Sequence, residues 1–468
     1  MTISRSHNSK PGAPAEAAPA DQGPKSREAA QRQLAAGEPL ACTVVVGLGY
    51  VGLPLCLQFA RSGHRVLGLD VDEKKVETLN SGNSYIKHIG AEDIDQFVAC
   101  ELLEASTDFH RVQEASSIVI CVPTPLSKHR EPDLSYILST GRAIAPHLQS
   151  GALVVLESTT YPGTTDTELR RVLEAGSGMV AGQDFHLAFS PEREDPGNPA
   201  SHVGQIPKVV GGYTPACLER AMGFYGAAIE QIVPVTSCRA AEATKLLENI
   251  YRSVNIALVN ELKVIYAAMG VDIWEVIEAA KTKPFGYQPF YPGPGLGGHC
   301  IPIDPFYLSW KAREFGERTR FIELAGEINT RMPHRVIGVV GEALNAHQKA
   351  INGSRILIIG LAYKPNVDDQ RESPSFTFLK HLSAKGANVD YYDPHVPEIG
   401  PTREHSEWTG KQSIEWQDID THNYDLALIS TNHACIDYHH LAESLPLIVD
   451  TRNAMHGIET KPDQLWRA

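Results

Sequence analysis

The stretch CTVVVGLGYVG (residues 42–52) decides the fold of the first part of this chain. A β-branched run meets three glycines spaced GxGxxG, an apolar helical segment follows to about Gly63, and a second strand ends at Asp70. A strand, a glycine turn, a helix and a second strand predict a βαβ unit, in which the helix N-terminus can hold a pyrophosphate. A tight turn without a ligand is the alternative, and the flanking strands and helix argue against it.

The acidic residue at the end of the second strand indicates which cofactor binds. Asp70 can accept hydrogen bonds from both hydroxyls of a ribose, and its charge would repel a 2′-phosphate, so NAD is favoured over NADP. Lys75 could neutralise charge near the phosphates or the ribose, with a solvated lysine as the alternative. The predicted cofactor-binding residues of this segment are Gly47, Gly49, Tyr50, Val51, Gly52, Asp70 and Lys75.

Length and composition exclude several classes of protein. The 468 residues are enough for two or three domains, and the composition is that of a soluble globular protein. A net charge of −14 argues against a nucleic-acid partner, and no apolar run is long enough for a membrane span. The eight cysteines are scattered without a CxxC pair, which predicts reduced thiols in a cytoplasmic protein and no metal site.

The order of predicted elements gives the fold class. Strands alternate with helices near both ends of the chain, and one long helix from Ser237 to Met269 separates the two regions. The expected class is α/β, with two Rossmann-like, doubly wound parallel-sheet domains joined by the long central helix. The predicted parts are a disordered tail (1–39), an NAD-binding Rossmann domain (40–235), a central helical domain (236–338) and a second Rossmann-like domain (339–468).

A glycine-rich loop, GPGLGGHC (293–300), places one cysteine four residues before Asp304. Glycines remove side chains and let backbone amides approach an anion, so a substrate could reach this thiol. A free cysteine is more often a small core residue, but the position of Cys300 beside His299 and near Asp304 favours a reactive thiol. Together with the dinucleotide fingerprint, the loop predicts an oxidoreductase that holds its substrate covalently on sulfur.

Polar residues at strand ends and on the long helix extend this candidate site. The segments 157–163 and 190–197 each follow a predicted strand, and ligands of such sheets bind outside the carboxyl ends of the strands. Lys245, Asn249 and Arg252 share one face of the long helix, where a cation could stabilise an oxyanion. Ordinary turns and a solvated helix face are the alternatives.

A second phosphate site is possible after the strand predicted at 355–360. Its glycine pattern is incomplete, so a second dinucleotide site is not expected. Lys364 and Arg371 near the following helix could instead bind another phosphate, such as that of a nucleotide sugar. Ordinary surface charge is the alternative for both residues.

These pieces, in this order, resemble the UDP-glucose/GDP-mannose dehydrogenase family from about residue 41 to residue 452. The resembling segments are GLGYVGLP (47–54), CVPTP (121–125), ESTTYPGT (157–164), SPER (190–193), Lys245 with Asn249, GPGLGGHCIPIDP (293–305) and GLAYKPNVDDQRESP (360–374). The resemblance implies that the first domain binds NAD and that the last binds the UDP part of a nucleotide sugar. It also implies that the long helix builds a homodimer or a higher homo-oligomer.

The resemblance further implies a reaction and a role for each motif. The C6 alcohol of the sugar would be oxidised to a carboxylate in two NAD-dependent steps, through a thiohemiacetal and then a thioester on Cys300. Lys245 would stabilise the alkoxide and the oxyanion, with Asp304 and Asn249 holding water and the lysine in place. Glu192 would be the general base for hydrolysis of the thioester.

The same resemblance places other residues near the ligands. Thr159 would support the hydrolytic water or the nicotinamide, Thr124 would lie near NAD, and Arg371 would reach NAD from the last domain. The implied substrate-binding residues are Glu192, Arg193, Glu194, Lys245, Asn249, Arg252, Tyr291, Gly297 and Lys364.

The SPER segment indicates the sugar. Members of the family that act on UDP-glucose commonly have a second carboxylate four residues after the first, whereas that position here is Pro196. The segment is similar to the branch acting on UDP-N-acetylhexosamines, so the expected substrate is UDP-N-acetylglucosamine, for surface polysaccharide synthesis. UDP-N-acetylgalactosamine and UDP-glucose are the alternative sugars. A two-electron hydroxyacid dehydrogenase and a non-catalytic nucleotide-sugar binding protein are the competing classes.

Overall fold

A computed structural model of the chain describes residues 41–86, 89–127, 131–194, 203–298, 301–402 and 404–468. Three sequence predictions concern residues outside these ranges: the disordered tail of residues 1–39, the pair His299 and Cys300, and Pro196, from which the sugar is predicted.

Thirteen strands form two sheets within the described residues. The first sheet contains β1 (Cys42–Val46), β2 (Arg65–Leu69), β3 (Leu103–Ser106), β4 (Ala115–Ile120), β5 (Leu153–Leu156), β6 (His186–Phe189), β7 (Lys208–Gly212) and β8 (Ile232–Val235). The second contains β9 (Arg355–Ile359), β10 (Asn388–Tyr392), β11 (Leu426–Ile429), β12 (Ile448–Asp450) and β13 (Leu465–Arg467).

The described α-helices cover the sheets and fill the region between them. They are α1 (Gly52–Arg61), α2 (Glu73–Asn80), α3 (Ala91–Ala99), α4 (Ser135–Ile144), α5 (Arg170–Ser177), α6 (Pro215–Gly226), α7 (Cys238–Ala268), α8 (Ile273–Ala280), α9 (Asp304–Ala312), α10 (Arg320–Ala346), α11 (Pro374–Ala384) and α12 (Tyr438–Ser444). None of them has both the length and the apolar character that crossing a bilayer requires.

Both sheets are buried on two faces, as the sequence predicts for doubly wound α/β units. The strand order is β3-β2-β1-β4-β5-β6-β7-β8 in the first sheet and β10-β9-β11-β12-β13 in the second. Val44 and Val46 pack into one core of the first sheet, whereas Val45 between them packs into the core on the opposite face. This alternation follows from the two-residue period of a strand, and it confirms the α/β class.

The first sheet departs from the expected parallel arrangement at one pair of strands. β7 runs antiparallel to β6, with Ala188 opposite Gly212 and Phe189 opposite Gly211. A parallel crossover needs a long connection that is usually helical, and the described part of this connection has only a 3₁₀ turn at Val203–Gln205. The reversal places Lys208, the first residue of β7, at the edge where β5 and β6 end.

The long helix α7 supports the glycine-rich loop through a chain of buried amides. The Asn260 side chain donates to Asn329 Oδ1 on α10 over 2.9 Å and accepts from the backbone N–H of Gly293 over 2.9 Å. Asn329 in turn donates to the carbonyl oxygen of Ser253 over 3.1 Å. These bonds hold α7, α10 and the start of the glycine-rich loop together. Because Asn260 is fully buried, water cannot replace its hydrogen bonds.

We expect Asn260→Ala to lower the free energy of unfolding by about 2 to 4 kcal/mol, because the N–H of Gly293 and the side-chain oxygen of Asn329 both lose the partner that Asn260 supplies. The midpoint of urea unfolding measures the change. Asn255→Ala is the matched control on the same helix, since Asn255 bonds only to the preceding turn at an exposed position. Equal midpoints for the two variants would contradict this role of Asn260.

Candidate active site

The glycine fingerprint after β1 has the shape of a dinucleotide loop. Gly47 has a φ of +95°, and a Cβ atom there would lie 2.7 Å from the carbonyl oxygen of Cys121. A Cβ atom at Gly52 would lie 1.9 Å from the carbonyl oxygen of Gly47. A Cβ atom at Gly49 would meet no atom within 4 Å, so this side of the loop is open to a ligand. Two glycines are required by packing, and the third leaves room for a pyrophosphate.

Asp70 lies beside this loop at the end of β2. Its carboxylate accepts hydrogen bonds from the N–H groups of Leu48 over 2.8 Å and of Asp72 over 3.0 Å, and Lys75 Nζ lies 3.4 Å from Oδ2. A carboxylate has about four acceptor positions, so Asp70 keeps capacity for ribose hydroxyls after these contacts.

Arg371 joins the fingerprint to the part of the chain that carries the second sheet. Its guanidinium stacks on the ring of Tyr50, with 4.2 Å between the guanidinium carbon and the ring centroid. Asp369 fixes the guanidinium through a bond of 2.7 Å to Nε and an ion pair of 2.5 Å to Nη2. The cation predicted to reach the cofactor is thus placed against the cofactor loop by a stacking contact.

The predicted catalytic residues of α7 and α9 form one buried cluster. Asn249 Nδ2 donates to Asp304 Oδ2 over 2.5 Å, and Lys245 Nζ, one turn earlier on α7, donates to the backbone carbonyl of Glu192. Lys245, Asn249 and Asp304 are each less than a tenth exposed. Residues of α7 and α9 therefore meet the segment that follows β6 at the carboxyl edge of the first sheet.

Burial gives Asp304 an unusual ionisation. It raises the pKa of the carboxyl from 3.8 to about 7, although the charge of Lys245 and the hydrogen bond from Asn249 both oppose the rise. A carboxyl group with this pKa can hold or release a proton near neutral pH, as an acid or base in catalysis must.

The loops after β4, β5 and β6 are fixed around the cluster. Ser158, next to the half-buried Thr159, donates from Oγ to the carbonyl oxygen of Val122 over 2.7 Å. The hydroxyl of Tyr307, which is fully buried on α9, donates to the carbonyl oxygen of Thr124. The loop that carries Thr124 is thus tied to the helix that begins with Asp304.

The SPER segment is anchored on both sides. The side chain of Glu192 accepts from the backbone N–H of Glu194. Arg193 forms an ion pair of 2.7 Å with Glu248 on α7 and donates to the carbonyl oxygen of Pro207 over 2.7 Å. Arg193 thus fixes the segment to the long helix.

The glycine-rich loop packs against residues that follow β9. A Cβ atom at Gly297 would lie 2.7 Å from Tyr363 Cβ, and one at Gly298 would lie 3.0 Å from the ring of Tyr363. The N–H of Gly298 donates to the carbonyl oxygen of Arg371 over 3.3 Å. Gly297 and Gly298 are therefore required to be glycine, because the loop backbone contacts Tyr363 directly.

Three predicted substrate-binding residues lie outside the buried cluster. Arg252 is exposed on α7. Tyr291 is 42% exposed, and its hydroxyl donates to Glu278 over 3.0 Å. Lys364 lies with Nζ 5.9 Å from the centroid of the Tyr363 ring.

Arg452 contacts the start of the glycine-rich loop, although the sequence analysis did not predict it. It follows β12, donates from Nε to the carbonyl oxygen of Ser430 over 2.9 Å, and would clash at 2.5 Å with a Cβ atom at Gly293. A cation that follows a strand end in an α/β sheet was the available signal, since ligands bind at such ends. Tyr307 was also missed, because a tyrosine inside a helical segment gives no sign of its distant partner.

The chain matches known proteins over most of its length. Three models of the UDP-glucose/GDP-mannose dehydrogenase family match the chain: the NAD binding domain at residues 41–229, the central domain at 239–331 and the UDP binding domain at 357–457. The chain is 35% identical to UDP-N-acetyl-D-glucosamine 6-dehydrogenase of Pseudomonas aeruginosa, over 75% of this chain and 82% of that protein. It is 39% identical to UDP-N-acetyl-D-mannosamine dehydrogenase of Escherichia coli (strain K12), over 72% and 82%.

A solved structure shows the same fold. The UDP-D-ManNAc dehydrogenase of Pyrococcus horikoshii superposes with a TM-score of 0.81 at 32% sequence identity, covering 91% of this chain and 98% of that chain. The match to the NAD binding domain identifies NAD as the cofactor. The open side of Gly49 and the spare acceptor positions of Asp70 fit its pyrophosphate and ribose.

The raised pKa of Asp304 has a consequence for stability. A buried acid whose pKa rises from 3.8 to about 7 destabilises the folded state once the pH exceeds its unfolded value, and the loss is complete above about pH 7. Asp304→Asn should therefore raise the free energy of unfolding at pH 8 by up to about 4 kcal/mol while greatly reducing turnover. The difference from the unmodified protein should shrink as the pH falls to 4.

Unfolding midpoints at pH 4, 6 and 8 measure this effect. Glu314→Gln is the control, because Glu314 is an exposed acid just after α9 that pairs with Lys311 over 2.6 Å. A difference for Asp304→Asn that does not change with pH would show that the carboxyl ionises normally.

Proposed function

The chain belongs to the UDP-glucose/GDP-mannose dehydrogenase family, and on that premise we propose that it oxidises the C6 alcohol of a UDP-N-acetylhexosamine to a carboxylate. The observation that carries the proposal is the buried cluster of Lys245, Asn249 and Asp304, which lies at the carboxyl edge of the first sheet. The uronate product would serve surface polysaccharide synthesis in the cytoplasm.

Covalent chemistry on Cys300 explains why one site can perform two oxidations. Conversion of an alcohol to an acid removes two hydrides from one carbon, and NAD supplies the acceptor for each. Between the oxidations the aldehyde must stay bound, and the thiolate of Cys300 adds to it to form a thiohemiacetal. Removal of the second hydride gives a thioester, which water then hydrolyses.

The neighbouring side chains stabilise the charges that develop in these steps. The ammonium group of Lys245 opposes the negative charge of the alkoxide and of the tetrahedral oxyanion. Asn249 holds Asp304 by a hydrogen bond, and Asp304 can exchange a proton with water because its pKa is about 7. Glu192 accepts the proton of the attacking water, with Thr159 in the adjacent loop supporting that water or the nicotinamide.

The remaining assignments follow the same scheme. Arg371 contacts the cofactor from its position on Tyr50, and Thr124 lines the cofactor side of the site. Arg193, Glu194, Gly297 and Lys364 hold the nucleotide sugar, together with Arg252 and Tyr291 at the exposed rim.

We favour UDP-N-acetylglucosamine as the substrate. Support comes from the SPER segment and from the similarity to the Pseudomonas aeruginosa 6-dehydrogenase. UDP-N-acetylmannosamine is the second candidate, because the similarity to the Escherichia coli enzyme named for that sugar is 39% over nearly the same span. Both sugars carry the N-acetyl group and differ in configuration at C2.

We also propose that two copies of the chain associate through α7 and α10. Leu247, Leu258 and Ile265 on α7 are about half exposed or more, as are Phe321 and Leu324 on α10. Large apolar side chains repeated along two packed helices are typical of a subunit interface. A homodimer, or a higher oligomer built from it, would cover them.

The yield of NADH per UDP-sugar tests the proposed reaction. We expect two NADH for each N-acetylated sugar consumed and little activity on UDP-glucose, when UDP-N-acetylglucosamine, UDP-N-acetylmannosamine, UDP-N-acetylgalactosamine and UDP-glucose are compared. One NADH per sugar would indicate a two-electron dehydrogenase, and binding without turnover would indicate a binding protein.

Cys300→Ser should reduce this turnover by at least about a thousandfold while UDP-sugar binding persists, because the nucleophile is removed and the nucleotide contacts are not. Cys435→Ser, which alters an exposed thiol that follows β11, is the matched control and should retain activity. Normal turnover by Cys300→Ser would exclude the covalent mechanism.

A further inference from the structure

One buried cation at the carboxyl edge of the first sheet has no role in the steps above. Lys208 is 5% exposed, and its Nζ lies 2.8 Å from Glu157 Oε2 and 3.8 Å from Glu192 Oε2. Glu157 is also buried, and its other oxygen accepts from the hydroxyl of Tyr225 over 2.5 Å. The ion pair of Glu157 and Lys208 thus lies next to Glu192, the proposed base.

The topology of the sheet creates this arrangement. Glu157 follows β5 and Glu192 follows β6, so both lie at the carboxyl edge. Because β7 is antiparallel to β6, its first residue, Lys208, lies at that same edge. A parallel β7 would have placed the lysine at the opposite edge, far from both carboxylates.

The charge of Lys208 is shared between two acids. Burial alone would lower the pKa of Lys208, but the attraction of Glu157 and Glu192 more than offsets it and holds that pKa above its ordinary value. Burial raises the pKa of Glu157, against the opposing charge of Lys208. Lys208 is therefore positively charged, and its ammonium group lies 3.8 Å from Glu192 Oε2, close enough for the two charges to interact.

The other groups around Lys208 come from each neighbouring element. Cys121 follows β4, and Tyr225 lies on α6 with its ring centroid 5.3 Å from Lys208 Nζ. Lys245 on α7 bonds to the backbone of Glu192 rather than to its carboxylate. Among the cations that the structure describes here, Lys208 is the one that forms an ion pair with the side chain of Glu192.

We propose that Lys208 is a positioning residue for thioester hydrolysis, whose ammonium group, held by Glu157, interacts with the Glu192 carboxylate that acts as the base. The inference rests on the proposed function. In the step it serves, a water proton passes to the Glu192 carboxylate and the water oxygen bonds to the carbonyl carbon. The carbon–sulfur bond then breaks, and Cys300 leaves as a thiolate. No electrons are transferred to or from the substrate in this step.

A purely structural role is the competing explanation, and energetics argue against it. A buried ion pair contributes little to stability relative to apolar residues of similar volume, because removing two charges from water is costly. A pair that also touches a proposed catalytic carboxylate is better explained by its effect on that carboxylate.

Two charge variants should shift the pH dependence of hydrolysis in opposite directions. Glu157→Gln leaves Lys208 with Glu192 as its sole acidic partner in this cluster, so the acid limb of the hydrolysis rate should move to lower pH by about one unit. The double variant Lys208→Met/Glu157→Gln removes the cation without leaving Glu157 ionised and unpaired. Its acid limb should move to higher pH by about one unit, with hydrolysis about tenfold slower on that limb.

Single-turnover experiments with UDP-N-acetylglucosamine and NAD separate the steps, since NADH reports both oxidations and uronate reports hydrolysis. Lys208→Arg should restore the position of the limb because it keeps the charge. Tyr225→Phe is the control, because it removes a hydrogen bond to Glu157 without changing any charge.

The outcomes are distinct. Opposite shifts of the limb with unchanged NADH formation support the proposal, whereas equal limbs in all variants overturn it. Fast hydrolysis by Glu192→Gln would instead show that Glu192 is not the base. Failure of the unmodified protein to form NADH would refute the proposed function itself.

Discussion

Charge buried at the carboxyl edge of the first sheet is the constraint on which the rest of the site depends. A buried charge is tolerated only when it is paired or hydrogen-bonded, and each one here has such a partner. Asn249 holds Asp304, the backbone of Glu192 holds Lys245, and Lys208 is paired with Glu157. These contacts fix the positions of the strand ends, the long helix and α9 relative to one another.

Close packing of the backbone explains why glycines occupy the junction between the two halves. The loop before Cys300 lies against Tyr363 and the backbone of Arg371, where a Cβ atom would collide. Arg371 itself reaches back to Tyr50 in the cofactor loop. The cofactor loop, the glycine-rich loop and the residues after β9 therefore meet in one place. A change in any one of them would alter its contacts with the others.

The apolar periodicity of the sequence predicts most of the helices and strands, and there are physical reasons why it does not indicate the others. The long helix and the strands rich in Val, Ile and Leu carry strong periodic signals. β3 contains Glu104, β8 contains Pro234, and β13 has three residues, so none of these strands shows a clear apolar pattern. The direction of β7 could not be predicted, because it depends on the length and course of a connection rather than on strand composition.

The site residues that the sequence predicts are those that lie within short, recognisable motifs. The fingerprint, Asp70 and the α7 pair Lys245 and Asn249 were recognised from short segments. Glu157 and Lys208 are 51 residues apart, and Arg452 comes from another sheet, so no local spacing brings them together. Their partners become visible only when the chain is folded.

Direct detection of the sulfur-bound intermediate tests the central claim. Glu192→Gln should oxidise UDP-N-acetylglucosamine with NAD but hydrolyse the thioester slowly, so acid quenching and peptide mass analysis should find the uronyl group on the peptide that contains Cys300. An unmodified peptide, together with a free aldehyde or uronate in solution, would contradict the claim that the substrate stays on this cysteine through both oxidations.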